Sequence, residues 1–221
     1  AVGDRSATAR ETTYAVTRWA SQREHVEGTP YGTRGGLSVE HTFPADGEYR
    51  FRVSFFHETT GALYGNGRAA LHTAEAPEQV EISIDGERAA LLDLDRWMNT
   101  ADPDGVNLHT DPIVITAGPH RVSAAFIRRL EGPVQDLITP LDWSLASTSI
   151  ADAYGFTTLP HLRDLAVTGP FNATGVSDTP SRARIFTCRG ETTPQQVGCA
   201  HAIVSRLAGQ AFRRPASEGD V

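Results

Sequence analysis

The chain has 221 residues, 27 acidic against 20 basic, for a formal net charge of −7. All 20 basic residues are Arg, and they are scattered rather than clustered. A nucleic-acid groove needs concentrated positive charge, so that class of partner is excluded. The apolar fraction of 39% is enough to build a core. No apolar run approaches the roughly 18–20 residues of a membrane helix, so no membrane span is expected. The opening at Ala1 has no charged-then-apolar leader and reads as an excised piece of a longer protein.

Residues 13–19 fit a first strand, and residues 20–36 read as irregular and Gly-rich. A clear period of two then begins. Leu37, Val39, His41 and Phe43 alternate with Ser38, Glu40 and Thr42. After Pro44-Ala45-Asp46-Gly47, Tyr49, Phe51, Val53 and Phe55 alternate with Arg50, Arg52 and Ser54. Such alternation predicts strands with one buried face, and the intervening turn residues predict that the two form a hairpin. Residues 57–79 form a long Gly- and Ala-rich connection of the kind that is usually functional or mobile.

Val80, Ile82 and Ile84 open the next strand. Asp85-Gly86 is a tight hairpin signal, and residues 88–94 are the return. A polar connection over 95–110 follows. Ile113 and Ile115 start a further strand, Ala117-Gly118-Pro119 reads as its turn, and Val122, Ala124 and Phe126 line the return of a third hairpin. Residues 162–167 supply one last strand. These elements predict an all-β chain: an antiparallel β-sandwich of jelly-roll type, carbohydrate-binding-module-like, with a C-terminal linker and helix. The expected division is a sandwich over residues 1–168, a turn-rich linker over 169–193, and a helix over 194–221. In that helix Val197, Ala200, Ile203, Val204 and Leu207 recur at helical spacing between Pro194 and Pro215. It reads as the start of a following helical domain.

Several stretches together resemble the middle region of the large multidomain proteins of unknown function common in planctomycetes and acidobacteria. They are His25-Val26-Glu27-Gly28, Gly32-Thr33-Arg34-Gly35-Gly36, His41-Thr42-Phe43-Pro44-Ala45-Asp46-Gly47-Glu48-Tyr49, Ile84-Asp85-Gly86-Glu87-Arg88 and Ala117-Gly118-Pro119-His120. Gly169-Pro170-Phe171-Asn172-Ala173-Thr174-Gly175, Thr179-Pro180-Ser181-Arg182 and Ala211-Phe212-Arg213-Arg214-Pro215 extend the match. In those proteins a haem c-binding segment lies upstream and helical domains lie downstream. The resemblance implies other domains of the same parent as partners, and no haem within this segment. The middle region is similar to calcium-dependent carbohydrate-binding modules, including xylan binders, which implies a polysaccharide or glycan as ligand.

The candidate sites follow the same logic. Sugars stack their C–H faces on exposed aromatic rings. Tyr64, Trp97, Trp143 and Tyr154 fall in expected loops; Tyr64 and Trp97 are preferred, and the bland alternative is loop anchors packed on the sandwich edge. Asp102, Asp104 and Asn107 form a short run of hard oxygen donors suited to Ca²⁺, lacking the distal bidentate Glu of a full calcium loop. A solvated turn is the alternative there, and Glu27 and Asp142 are weaker calcium candidates. Cys188 and Cys199 are too far apart for a metal knuckle and read as a disulfide, which places the chain in the periplasm or outside the cell; two buried free thiols are the alternative.

Catalysis finds little support. Gly36-Leu37-Ser38-Val39-Glu40 lacks the second Gly of a nucleophile elbow, and His57-Glu58-Thr59-Thr60-Gly61 lacks the second His of a zinc helix. His25 and Glu27 would share one side of a strand, as an acid–base pair or part of a metal site. A non-catalytic binding module is therefore favoured. A purely architectural spacer and a polysaccharide hydrolase using the 57–79 connection remain as alternatives.

Overall fold

The computed structural model describes residues 3–17, 20–56, 77–95, 97–129, 149–150, 153–154, 160–215, 217 and 219. They form an antiparallel β-sandwich. The strands are β1 (Arg10–Ala15), β2 (Thr33–Phe43), β3 (Asp46–Phe55), β4 (Glu78–Ile84) and β5 (Glu87–Leu94). Then come β6 (Asn107–His109), β7 (Ile113–Ile115), β8 (Gly118–Ile127), β9 (Ser149–Ile150), β10 (Ala153–Tyr154) and β11 (Leu162–Gly175). One sheet has the order β1-β11-β3-β6, with β7 also on β3; the other has the order β2-β8-β4-β5. The short pair β9–β10 stands apart from both.

The period of two places the core where the sequence predicts it. Phe43, Tyr49, Phe51, Val53, Phe55, Val80, Ile82, Val122, Ala124 and Phe126 are all buried in one cluster. Leu162, Leu165 and Val167 of β11 join them. Each large side chain so buried contributes about 1.5–3 kcal/mol.

Two of the three expected hairpins are not hairpins. β2 pairs with β8, whereas β3 pairs with β11, β6 and β7. The Pro44-Ala45 step is therefore a crossing from one sheet to the other. The same holds for β7 and β8, which pair with β3 and with β2 and β4 respectively. Alternation fixes which face of a strand is buried, but a strand can present that face from either layer. Of the three, only the Asp85-Gly86 turn joins paired neighbours, β4 and β5. There the local chemistry decides: both residues have positive φ, 53° and 87°, as a type I′ turn requires.

Both crossings are held by one side chain. Asp46 Oδ1 accepts the amides of Ala117 (2.6 Å) and Ser177 (3.0 Å), and Oδ2 accepts the Ser177 hydroxyl (3.0 Å). Ala117 lies at the second crossing, and Ser177 follows the end of β11.

The opposite end is closed around Gln22 and Arg34. β2 begins at Thr33, inside the stretch expected to be irregular, and carries a bulge between Arg34 and Leu37. A Cβ on Gly36 would lie 1.9 Å from the Ala124 carbonyl oxygen, and its φ is +80°, so only glycine fits. Gln22 Oε1 accepts the amides of Gly36 and Leu162, both at 3.2 Å, which ties the two sheets together. Arg34 pairs with Glu78 at 2.7 Å, donates to the Gln22 carbonyl and sits over the Phe126 ring. Both members of this ion pair are buried, so removing one alone costs about 3–5 kcal/mol.

β11 runs on to Gly175, into the region expected to be linker. Helix α1 (Pro180–Ile185) follows, capped by Thr179, and then helix α2 (Thr193–Phe212), begun by a capping box of Thr192 and Gln195. Cys188 and Cys199 form the expected disulfide. Among the described residues no helix is long and apolar enough to cross a membrane.

Burial alone would raise the Asp46 carboxyl. The Ala117 and Ser177 amides and the Ser177 hydroxyl outweigh it and hold the group below the ordinary carboxylate range. A depressed folded pKa gives stability that is present above the unfolded value and is lost as pH falls through the folded one. Asp46→Asn is therefore expected to make the acid loss of stability shallower, read by urea unfolding at steps from about pH 6 down to about pH 2.

Candidate functional site

The segment between β1 and β2 builds an exposed aromatic platform. Tyr31 is 98% exposed, the most exposed of the large apolar side chains among the described residues. Its ring lies parallel to that of His25, with centroids 5.9 Å apart and planes 9° from parallel. Gly28 and Gly32, both at φ +84°, bracket the turn that presents it, and Pro30 restricts the residue before.

The turn is hydrogen-bonded throughout. The Thr29 hydroxyl donates to the Val26 carbonyl at 2.7 Å. Thr33 Oγ1 lies 2.6 Å from the Pro30 carbonyl oxygen and 2.9 Å from Thr29 Oγ1. His25 Nδ1 lies 3.4 Å from Thr29 Oγ1, which sets the ring beneath Tyr31. The Gly32 carbonyl accepts the Arg128 amide at 2.8 Å, and the Gly28 carbonyl accepts the Ser38 hydroxyl at 3.1 Å. These bonds fasten the turn to β2 and to the end of β8. A platform held this way spends little conformational entropy on binding.

Two shallow depressions flank Tyr31. One is shared with His25 and Arg128, the other with Gly28, Asp85 and Arg121. Asp85 Oδ2 meets His120 Nδ1 at 2.6 Å, and Oδ1 accepts the Arg121 amide at 2.9 Å. Burial opposes its charge, but His120 and the Arg121 amide together hold the Asp85 carboxyl below its ordinary range. Among the described residues no carboxylate lies within ion-pair distance of Arg121 or Arg128. The surface thus offers an aromatic face with two guanidinium groups beside it.

The residues singled out from sequence are placed as follows. Trp97 lies after β5 and is half exposed at 50%, its amide donating to Asp95 Oδ1. The Tyr31 turn meets the Asp85-Gly86 end of β4 and β5, whereas Trp97 follows Leu94 at the other end of those strands. Tyr64, Trp143 and Asp142 lie outside the described residues, as do His57 and Glu58. Tyr154 is in β10.

Asp102 Oδ2 accepts the Asn99 amide at 2.7 Å, closing a turn. The Asn107 side-chain amide donates to the Asp104 carbonyl, and its Oδ1 is buried without a hydrogen-bond partner. Asp102 and Asp104 are exposed. Among the described residues no three His, Cys, Asp or Glu side chains gather as a metal set. His25 and Glu27 are not on a strand, so the spacing that would align them does not apply. No hydrogen bond or ion pair joins them; His25 instead faces Tyr31 and Thr29.

Tyr31 itself is the residue that the sequence reading passes over. The signal was present: an aromatic between Pro30 and Gly32 in a polar connection, the same pattern that singled out Tyr64.

No protein-family model matches the chain, and no curated protein matches its sequence. Solved structures that resemble it include dimeric latent PorU from Porphyromonas gingivalis, at 10% identity and a TM-score of 0.33, over 78% of this chain and 14% of that one. A family 35 carbohydrate-binding module from Clostridium thermocellum aligns at 14% identity and a TM-score of 0.28, over 72% of this chain and 90% of the module. A GH2 beta-galacturonidase from Eisenbergiella tayi, bound to galacturonate, aligns at 13% identity and a TM-score of 0.28, over 73% of this chain and 25% of the enzyme. At such TM-scores the reading of the site rests on its own geometry.

Gly28 sits at φ +84°, and a Cβ there would lie 2.7 Å from Ser38 Oγ. Gly28→Ala is expected to break the Ser38 contact and loosen the turn while the core stays packed. Amide exchange should quicken over residues 25–33 and stay unchanged in β3 and β8.

Proposed function

We propose that this chain is a non-catalytic glycan-binding module whose contact surface is the Tyr31–His25 platform. The observation that carries the reading is a tyrosine ring held almost fully exposed on a hydrogen-bonded turn. Folding buries most aromatic rings. A ring held out in water on a hydrogen-bonded turn is available for recognition, and its flat apolar face matches the C–H face of a sugar. Arg121, Arg128 and Asp85 supply donors and an acceptor for hydroxyls around it.

The module belongs, in this reading, to an exported multidomain protein with a cytochrome segment upstream. The disulfide between Cys188 and Cys199 supports a periplasmic or extracellular setting, because such bonds persist in oxidising compartments. The stretches from His25-Val26-Glu27-Gly28 to Ala211-Phe212-Arg213-Arg214-Pro215 support the kind of parent.

A glycan array and titration calorimetry test the platform. Tyr31→Ala is expected to leave the melting temperature unchanged and to weaken glycan binding by about tenfold or more, the equivalent of about 1.4 kcal/mol of lost stacking. Trp97→Ala is the comparison, since it lies outside the platform. Glycan binding that survives Tyr31→Ala overturns the site, and an array with no bound glycan favours the architectural spacer.

A calcium ion on Asp102, Asp104 and the Asn107 Oδ1 is a separate proposal, supported by that oxygen's lack of a donor. Excess calcium should then raise the melting temperature by mass action, with EDTA and Asp104→Asn each removing the rise. Melting that ignores both calcium and EDTA refutes it.

A further inference from the structure

A second recess shares no lining residue with the platform. β1 and β2 are the edge strands of their respective sheets. Between them opens a cleft of about 340 Å³, within the usual size range of small-molecule sites. The N-terminal segment straps across it: the Asp4 amide donates to the Pro44 carbonyl at 2.7 Å, and Asp4 Oδ1 accepts the Ser6 amide and hydroxyl.

His41 lines this cleft and is 9% exposed. Its Nδ1 lies 2.8 Å from the Tyr14 hydroxyl, joining the two edge strands. The rings of Tyr14 and Phe43 both meet it edge-on. Among the described residues Nε2 has no hydrogen-bond partner. Burial pushes the imidazole below its ordinary pKa, toward the neutral ring. That nitrogen is open to the cleft and can hydrogen-bond to a hydroxyl of an occupant.

The rest of the lining fits one kind of occupant. Thr8, Thr12 and Thr42 bring hydroxyls that make no side-chain hydrogen bond among the described residues. Each can donate and accept. Pro44, Tyr49 and Val167 form an apolar wall. The charged groups are one Asp4 and one Arg10, of opposite sign. An anion would face Asp4 and a cation Arg10, so neither is favoured.

We infer that this cleft binds one neutral polyhydroxylated small molecule of monosaccharide size. Its hydroxyls would be taken by His41 Nε2 and the threonines, and its C–H face by the apolar wall. The site stands independently of the Tyr31 platform, with which it shares no residue.

The test is an NMR titration of the whole chain with D-glucose, D-galactose and myo-inositol, following the His41 ring nitrogens and the amides of Thr8, Thr12 and Thr42. Saturable shifts at these positions are expected with at least one probe. Thr12→Val and Thr42→Val, which remove exposed hydroxyls at nearly constant volume, should each weaken that binding by about fivefold to tenfold. Neither should change the melting temperature, and Tyr31→Ala should leave the titration unchanged. His41→Gln, checked for folding by its amide spectrum, should weaken binding further. A tetrasaccharide arm separates a glycan chain end from a free sugar, and saturable shifts from either support the site. No saturable shift with any probe, wild-type affinity in both threonine variants, or tighter binding of D-glucuronate than of D-glucose would each overturn the inference.

Discussion

The Asp46 carboxylate is where the two layers of this protein are made to belong together. It accepts from Ala117 at one sheet crossing, sits at the other crossing itself, and reaches Ser177 beyond the last strand. Segments 71 and 131 positions away in sequence thus converge on one charged group. Such bonds to a carboxylate are about twice as strong as neutral ones. Hydrophobic burial alone would tolerate a strand entering either layer. Converging polar contacts of this kind select one arrangement from the several that bury the same side chains.

That division explains what the sequence discloses. The inner faces of β2, β3, β4 and β8 are legible, because burial follows a period of two whichever partner a strand has. The Asp85-Gly86 hairpin is legible, because positive φ at two successive positions is written into those two residues. The helix α2 is legible from its spacing and from Pro194 and Pro215. The partners of β2 and β3 are not. Pro44-Ala45-Asp46-Gly47 has the composition of a tight turn, but Ala45 is fully buried and Asp46 is committed to residues 117 and 177. Nothing within four residues announces that commitment. Likewise β11 reads as a weak final strand, although it lies between β1 and β3 in its sheet.

The two recesses differ in how they were hidden. Tyr31 obeys a rule that sequence reasoning already applies, an aromatic in a polar loop, and its neighbours Pro30 and Gly32 mark the turn. His41 obeys the opposite rule. It occupies an inward position of β2 between Val39 and Phe43, and alternation alone assigns it to the core. Only the facing strand β1, from the other sheet, shows that its ring ends at an opening and that Tyr14 holds one nitrogen while the other stays available. The outward arginines are similar: Arg121 and Arg128 look like ordinary solvated charges until the turn over residues 25–32 is laid beside them.

The covalent bridge between Cys188 and Cys199 also sets how mechanical load travels. Tension between the sandwich and the distal part of α2 would pass from residue 188 straight across the sulfur atoms to residue 199. The residues between them, including the Thr192–Gln195 capping box, would hang slack and unstretched. The start of the helix would therefore keep its fold under pulling forces that unravel its other end.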